Sequence, residues 1–364
     1  GARMVEFAGW EMPVQYAGVL AEHAAVRERV GLFDITHMGE VFVTGAEAGR
    51  WLSSLVTNSI IKGEPGKVVY TAMCNEQGGC LDDMLIYRLA EARWLVVMNA
   101  ANHDKILAWM QRHLPPAGVT LDDASGRTGL IAVQGPDSRE LLTRLDQLAG
   151  RTGQIGELGF YRAILHDGPG GEWILSRTGY TGEHGYELYL PDADMLPVWE
   201  ELLRKGEDLG VAPVGLAARD TLRFEAGYCL YGHELSEDWT PLEAGIGWAV
   251  KLKKKQGFVG RDALAAQKEA GPPRTVVGLE PQGGPIAREG SPVYAGDRRV
   301  GHVTSGTFAP TLQRKLALAL IETASVEADL TVEVRGRRLA CQRVPTPFLS
   351  ARVKGDPRAE RTGA

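Results

Sequence analysis

The spacing of hydrophobic residues changes several times in the first part of the chain. Apolar residues recur every three to four positions in residues 19–30, which predicts a helix, whereas residues 39–45 alternate apolar and polar side chains, which predicts a strand. Residues 67–88 contain two apolar runs on either side of a Gly-Gly pair, a pattern typical of a β-hairpin. Residues 93–114 predict a strand and then a helix, with Asn102 as the expected N-cap.

The later part of the chain first mixes helices and strands and then becomes rich in strands. Residues 173–177 and 186–190 predict two strands separated by a loop that contains several glycines. The stretch AGPPR, residues 270–274, is typical of a linker, and the alternating runs beyond it predict a separate small β domain. Because 364 residues are too many for one ordinary core, we expect an α+β protein with more than one domain.

Composition and charge exclude several classes of protein and site. The net charge of −6, without a long basic stripe, argues against nucleic acid as a partner. No apolar run approaches the ~20 residues of a membrane helix, and the opening residues lack the features of a signal peptide, so we expect a cytoplasmic protein without membrane association. The four cysteines form no CxxC pair and the eight histidines show no HxxxH or HExxH spacing, which predicts neither a disulfide framework nor a metal site.

One basic cluster stands out from this acidic chain. It is KLKKKQ, residues 251–256. Two interpretations remain open for it: a solvated turn, or a docking patch for an acidic partner.

Two adjacent aspartates, Asp82 and Asp83, follow the Gly-Gly pair at the start of an apolar run. Buried carboxylates are costly unless they are paired or hydrogen-bonded, so the pair needs a structural or a chemical reason. Aspartates that satisfy backbone donors in the turn are the structural alternative. Because successive side chains on a strand point to opposite faces, we expect only one of the two to face a ligand.

A series of motifs resembles one known family in its order along the chain. The motifs are FDITHMGE, NEQGGCLDDMLIYR, LVVMNAAN, IAVQGP, SRTGYTGEHGYELYLP, GLAARDTLRFEAGYCLYGHEL and VTSGTFAPTL. Together they are similar to the glycine cleavage T-protein family of aminomethyltransferases. The resemblance implies three domains around a central cavity that holds tetrahydrofolate. The expected domains are residues 1–35 plus 121–212, residues 36–120 plus 213–270, and residues 271–364, the last a small β-barrel or jelly-roll-like domain.

The resemblance also implies the reaction. The aminomethyl group arrives on the dihydrolipoyl arm of a carrier, the H protein, and ammonia is released. The one-carbon unit then passes to tetrahydrofolate and gives 5,10-methylenetetrahydrofolate. We expect tetrahydrofolate as cosubstrate, the lipoylated H protein as partner, no metal, and a monomer or weak dimer.

The same resemblance assigns roles to individual residues. Asp83 is the expected catalytic carboxylate, since a negative charge stabilises the positive charge that develops on the one-carbon unit. Glu187 is expected to accept two hydrogen bonds from the pterin edge, and Arg219 to bind the carboxylates of the glutamate tail. Further positions that match ligand contacts of the family are Met38, Asn99, Tyr180, Tyr231, Trp248 and Arg288.

Structural roles stay open for some of these positions. Met38 and Trp248 are also compatible with ordinary core packing. Arg223 lies one helical turn after Arg219, so it could share the ligand or pair with Asp220 or Glu225.

The chain departs from the family pattern at Cys229 and His233, within CLYGHE. A histidine there can titrate near neutral pH, unlike the glutamine that is usual in the family. Two rival functions remain: another tetrahydrofolate-dependent enzyme of the same fold, of the demethylase type, and a folate-binding protein associated with iron–sulfur chemistry. The adjacent Asp82 and Asp83 weigh against the first, and the joint presence of Asp83, Asn99 and Glu187 weighs against the second.

Overall fold

The structure is a computed structural model that describes residues 1–353, so the end of the predicted third domain lies outside the described residues. The strands of the first part are β1 (Arg3–Phe7), β2 (Trp10–Gln15), β3 (Gly31–Asp34), β4 (Gly39–Thr44), β5 (Val68–Cys74), β6 (Cys80–Ala90), β7 (Arg93–Met98), β8 (Thr120–Asp123), β9 (Thr128–Gln134), β10 (Ala163–Gly168), β11 (Gly171–Ser176), β12 (Gly185–Pro191) and β13 (Ala212–Pro213). The strands of the last part are β14 (Arg274–Pro281), β15 (Pro292–Ala295), β16 (Arg298–Ala309), β17 (Arg314–Glu322), β18 (Leu330–Val334) and β19 (Arg337–Val344). The helices are α1 (Val19–Glu28), α2 (Ala48–Leu55), α3 (His103–Arg112), α4 (Ser138–Thr143), α5 (Thr152–Glu157), α6 (Asp192–Lys205), α7 (Leu216–Glu225) and α8 (Arg261–Ala270).

The first large sheet has the strand order β10-β11-β12-β9-β3-β13. Its neighbours are antiparallel except for β13, which runs parallel to β3. Helices α4 and α6 cover one face of this sheet and bury Trp173 beneath them. The indole N–H of Trp173 donates to Asp194 at 2.7 Å, which satisfies a buried donor and fixes α6 on the sheet.

The second large sheet has the order β5-β6-β7-β4-β8 and is antiparallel throughout. The turn between β5 and β6 is held by Asn75, whose side-chain oxygen accepts from the backbone N–H groups of Gln77 and Gly79 at 3.1 and 2.9 Å. A Cβ on Gly79 would lie 1.9 Å from the carbonyl oxygen of Glu237, so this position requires glycine. The donors of the turn are therefore satisfied without Asp82, and the interpretation of that residue as a turn aspartate is wrong.

The two sheets pack against each other through their apolar faces. Phe33 and Leu130 from the first sheet are buried with Tyr87 and Leu95 from the second. Burying a side chain of this size stabilises the fold by roughly 1.5–3 kcal/mol. This shared core fixes β6, which carries Asp82 and Asp83, relative to β12, which carries Glu187.

The last six strands close into a barrel in the order β14-β17-β16-β15-β18-β19. Its interior is filled by small and branched apolar residues such as Val293, Val303 and Ala319. The prediction of an α+β protein with a C-terminal β barrel is confirmed. We propose the three-domain division given above. One strand crosses this division: β8 pairs with β4 in the second sheet, but most residues of β8 belong to the segment assigned to the first domain. Within residues 1–353, no helix is long and apolar enough to cross a membrane.

A buried network of charges joins these parts around α7. The guanidinium of Arg27 on α1 contacts Glu225 at 2.9 Å and Glu183 at 3.0 Å. Arg223 contacts Glu234 at 2.8 Å and donates to Ser305 of the barrel at 2.9 Å. Removing one partner of a buried pair commonly costs about 3–5 kcal/mol, so this network holds the barrel against the rest of the chain.

Candidate active site

A cavity of about 480 Å³ lies where the two sheets, α7, the segment after α7 and the barrel meet. That volume lies within the range of about 300–1,000 Å³ that is typical of small-molecule sites. Its wall combines many apolar and aromatic side chains with a few carboxyl, amide and guanidinium groups. The predicted site residues in this wall are Met38, Asp83, Asn99, Tyr180, Glu187, Arg219, Tyr231 and Trp248.

Asp82 and Asp83 point to opposite sides of β6, as strand alternation predicts. Asp82 is fully buried, whereas Asp83 is half-buried and lines the cavity. The hydroxyl of Tyr70, on the neighbouring strand β5, donates to Asp83 Oδ2 at 2.9 Å. Asn99 Nδ2 donates to Asp83 Oδ1 at 2.9 Å, so both carboxylate oxygens of Asp83 are held.

Asp82 is held by amide groups at the end of β7. Its Oδ2 accepts from the backbone N–H of Asn99 at 3.1 Å, and its Oδ1 accepts from Asn99 Nδ2 at 2.7 Å. Asn102 Nδ2 also donates to Oδ1, at 2.6 Å. Asn102 does occupy the N-cap position of α3, but its side chain makes no capping hydrogen bond because its amide is turned towards Asp82.

Burial governs the protonation of both aspartates. It raises the pKa of Asp83, and the charge of Glu234 acts in the same direction, while the hydrogen bonds from Tyr70 and Asn99 lower it. Burial, followed by the adjacent charge of Asp83, also raises the pKa of Asp82. A carboxyl group whose pKa is raised towards neutrality is suited to chemistry that involves proton transfer.

Glu187 also lines the cavity, and its hydrogen bonds within the protein all involve one oxygen. Thr178 donates to Oε2 in a short hydrogen bond, and the hydroxyls of Tyr87 and Tyr189 lie 3.5 Å from the same atom. In residues 1–353 no donor reaches Oε1, which leaves that oxygen for a ligand. Burial raises the pKa of Glu187, although the hydrogen bond from Thr178 and the charge of Arg219 oppose the effect.

The strand β6 relates the position of Asp83 to that of Glu187. Tyr87, which contacts Glu187, and Asp83 lie four residues apart on this strand, and Leu85 between them also lines the cavity. Four residues of extended strand span about 13 Å. The cavity wall therefore carries carboxylates at two separate places, an arrangement suited to an extended ligand with donors at two places.

Aromatic and cationic side chains complete the wall. The guanidinium of Arg219 lies 4.7 Å from the centre of the Tyr180 ring. In the described part of the chain, this guanidinium makes no hydrogen bond and no ion pair. The ring of Trp248 stacks on Tyr70 at 5.4 Å and is 58% exposed, so this tryptophan marks an opening of the cavity. The interpretation of Trp248 as a core residue is wrong. Tyr231 donates its hydroxyl to the carbonyl of Cys80 at 3.1 Å, and Met38 packs at the edge of the apolar core between the sheets.

The structure does not place every predicted residue in the cavity. Arg288 is exposed on the barrel, where it donates to the carbonyl of Gly306 at 3.2 Å, and it is absent from the cavity wall. Arg223 is buried and pairs with Asp220 and Glu234, which makes it a structural residue. Glu225, the other partner considered for it, is bound by Arg27 instead.

Tyr70 and Asn102 were missed by the sequence interpretation. Tyr70 was visible as an aromatic residue on the strand paired with β6, and only the register shows that its hydroxyl reaches Asp83. Asn102 looked like an ordinary helix cap, and nothing in its spacing from Asp82 indicates their contact.

The two departures from the family pattern have different surroundings. Cys229 lines the cavity and is a free thiol. His233 is half-buried, and its Nδ1 lies 2.9 Å from the carbonyl oxygen of Thr304 and 3.6 Å from Glu289.

The basic run at residues 251–256 divides into two parts. Lys251, Lys253 and Lys255 are exposed, as a solvated turn predicts. Lys254 instead donates to the carbonyl groups of Ser53, Val56 and Asn58, at and just beyond the end of α2. Its burial lowers the pKa of the ammonium group to about 7. A docking role for the three exposed lysines stays a prediction.

Two family models match the chain over most of its length. The GCVT N-terminal domain matches residues 1–254, and the glycine cleavage T-protein C-terminal barrel domain matches residues 274–349. The chain therefore belongs to the glycine cleavage T-protein family.

Relatives of known name and structure support the same assignment. The chain is 47% identical over 363 residues to an aminomethyltransferase of Rubrobacter xylanophilus, which covers 100% of this chain and 94% of that one. It is 46% identical over 354 residues to an aminomethyltransferase of Geobacillus thermodenitrificans, covering 96% and 94%. The crystal structure of glycine cleavage system aminomethyltransferase T from Bartonella henselae superposes with a TM-score of 0.88 at 36% identity, covering 97% and 95%. The chain is an aminomethyltransferase of the glycine cleavage system, and the two rival functions are set aside.

Proposed function

We propose that the cavity is the place where the aminomethyl group is transferred, with tetrahydrofolate bound along β6 and the dihydrolipoyl arm of the H protein delivering the group. The observation that carries the proposal is the pair of carboxylates, Asp83 and Glu187, at two separate places in the wall of one cavity. The products are ammonia and 5,10-methylenetetrahydrofolate. This proposal rests on the family for the reaction and on the cavity for the roles of individual residues.

Glu187 and Arg219 are proposed to recognise the pterin ring. Glu187 Oε1 has no protein donor in the described chain, so its lone pairs are free to accept the ring N–H and the neighbouring amine of the pterin edge. Arg219 interacts electrostatically with Glu187. Arg219 therefore suits a hydrogen-bond acceptor on the pterin ring better than the glutamate tail of folate, which is the ligand group that the sequence analysis assigned to Arg219.

Asp83 is proposed to act on the one-carbon unit. An ionised carboxylate beside the cavity stabilises the positive charge that develops when ammonia leaves, and it can also take up a proton from the attacking amine. Tyr70 and Asn99 hold both its oxygens, so the group needs little reorganisation during the reaction. Tyr180, Tyr231 and Trp248 supply flat apolar surface to the rest of the folate.

A direct assay tests the proposal. The protein is mixed with an aminomethyl-charged lipoyl carrier and tetrahydrofolate, and methylenetetrahydrofolate and ammonia are followed together. We expect both products in equal amounts. Tight binding of tetrahydrofolate without either product would contradict the proposed role of the cavity.

Replacing Tyr70 with Phe is expected to shift the pH dependence of turnover. The Tyr70 hydroxyl lowers the pKa of Asp83, so its loss raises that pKa, and turnover that needs ionised Asp83 then requires a higher pH. A hydrogen bond to a charged group is worth about 1.5–3 kcal/mol, which corresponds to a shift of roughly one pH unit or more in the acidic limb of kcat. Tyr231→Phe is the control, because that hydroxyl donates to a carbonyl and not to a carboxylate. Equal acidic limbs in the two variants would argue against the contact.

A further inference from the structure

The amide of Asn99 is held in one orientation by its surroundings. Its Nδ2 lies within 3.0 Å of three oxygens, which are Asp82 Oδ1 at 2.7 Å, Asp83 Oδ1 at 2.9 Å and the carbonyl oxygen of Asp83 at 3.0 Å. The carbonyl oxygen of Asp83 can only accept a hydrogen bond, whatever the protonation of the two carboxyl groups. The nitrogen of the amide must therefore face the aspartates, and Oδ1 must face away from them.

The opposite side of the amide is available to a ligand. Asn99 lines the cavity, and among residues 1–353 no donor contacts its Oδ1. The residue therefore presents a hydrogen-bond acceptor, and not a donor, to whatever occupies the cavity.

Asp82 supplies the strongest part of this arrangement without touching the cavity. It is fully buried and absent from the cavity wall, and it accepts from both the backbone N–H and the side chain of Asn99. Asn102 donates to the same Oδ1 at 2.6 Å and holds the Asp82 carboxyl in place. Asp83 alone would fix the amide less firmly, since it is only half-buried and its carboxylate is shared with Tyr70.

The chemistry of pterins gives this orientation a consequence. The ring nitrogens N5 and N8 carry hydrogens in the tetrahydro form and are donors, whereas in fully oxidised folate the same atoms are acceptors. When N5 or N8 faces Asn99, the acceptor Oδ1 binds the N–H of the tetrahydro form and repels the bare nitrogen of oxidised folate. A site built for a hydrogen bond discriminates strongly against a ligand that cannot make it, because its buried polar group is then left unpaired.

We propose that Asp82 is a positioning residue that fixes the amide of Asn99 as an acceptor and thereby makes the cavity selective for reduced over oxidised pterin. The inference rests on the proposed function, since it takes folate as the ligand. Asp82 acts through Asn99 and does not itself contact the substrate. The unusual pair of adjacent aspartates then has two distinct roles, with Asp83 at the reacting centre and Asp82 behind it.

The test compares the binding of two ligands to matched variants. Dissociation constants of tetrahydrofolate, under anaerobic conditions, and of folic acid are measured by calorimetry for the wild type and for Asp82→Asn. The new amide has a single acceptor oxygen, so it cannot accept from both the backbone N–H and the side chain of Asn99, and the Asn99 amide is then held less firmly. We expect the ratio of the two dissociation constants to fall about tenfold or more, while Asp329→Asn, an exposed aspartate on the barrel, leaves it unchanged.

A second variant guards against a failure of Asp82→Asn to fold. The double exchange Asp82→Asn with Asn102→Asp keeps one carboxyl and one amide at positions 82 and 102. The carboxyl group that contacts Asn99 is lost, because position 82 now carries the amide. It is expected to lose selectivity as the single variant does. Folded variants with lower melting temperatures and an unchanged ratio of dissociation constants would overturn the inference, because Asp82 would then be only structural. A wild type that binds neither ligand would overturn the proposed function, and with it this inference.

Discussion

Asp83→Asn is expected to lower kcat by roughly a hundredfold while leaving the affinity for tetrahydrofolate within a few-fold of the wild type. Loss of a charge that stabilises the transition state costs about 3 kcal/mol or more, and about 1.4 kcal/mol corresponds to a factor of ten in rate. Binding changes little because the amide has the same shape: its oxygen can accept from Asn99, and its NH₂ group can donate to the Tyr70 hydroxyl. Single-turnover measurement of methylenetetrahydrofolate, with the charged carrier in excess, separates the chemical step from product release.

The pH dependence of the same variant gives an independent check. Burial raises the pKa of Asp83 in the wild type, so the carboxylate becomes protonated, and turnover falls, as the pH drops through that raised value. The amide that replaces this carboxyl group cannot titrate, so the residual turnover of the variant should lack this acidic limb. Asp329→Asn should behave as the wild type in both measurements. A fully active Asp83→Asn enzyme would remove Asp83 from the reaction.

Strand alternation predicts that only one of the two aspartates faces the cavity, and the family resemblance indicates that this one is Asp83. Because neighbouring residues on a strand face opposite ways, the sequence predicts that one carboxyl faces the cavity and one faces the interior. Which donors then surround Asp82 could not be predicted in this way. Asn99 and Asn102 come from the end of the next strand and the start of a helix, and their approach depends on how β7 and α3 pack together.

The same limit explains why Arg288 lies outside the cavity wall against the prediction, and why two roles stayed open for Arg223 and Trp248. A match to a family motif identifies Arg219 and Arg288 equally well, and helical spacing adds Arg223, but neither carries information about exposure or partners. Glu234 and Ser305 are distant in sequence from Arg223, and their contacts with it appear only when the barrel is in place. Trp248 matches a ligand contact of the family and is also compatible with core packing, and the structure places its ring over Tyr70 in the wall of the cavity.

Glu187→Gln is expected to weaken the binding of tetrahydrofolate by roughly thirtyfold to more than a hundredfold. In the wild type, three hydroxyl groups, from Thr178, Tyr87 and Tyr189, surround Oε2. In the variant these hydroxyls hold the carbonyl oxygen of the new amide, so its NH₂ group takes the place of Oε1. A donor of the protein then faces the donors of the pterin edge, and the loss of charge-assisted hydrogen bonds costs about 2–3 kcal/mol.

Comparison with Glu187→Ala separates recognition from structural support. Alanine removes the acceptor of three buried hydroxyls as well as the ligand contact, so it should reduce both folate affinity and thermal stability. The glutamine variant should keep its stability and lose only affinity. Glu172→Gln, an exposed position on the neighbouring strand β11, controls for the change from carboxylate to amide. If calorimetry gave the same dissociation constant for Glu187→Gln and Glu172→Gln, the pterin edge would have to lie elsewhere in the cavity, and Arg219 would be the next residue to replace.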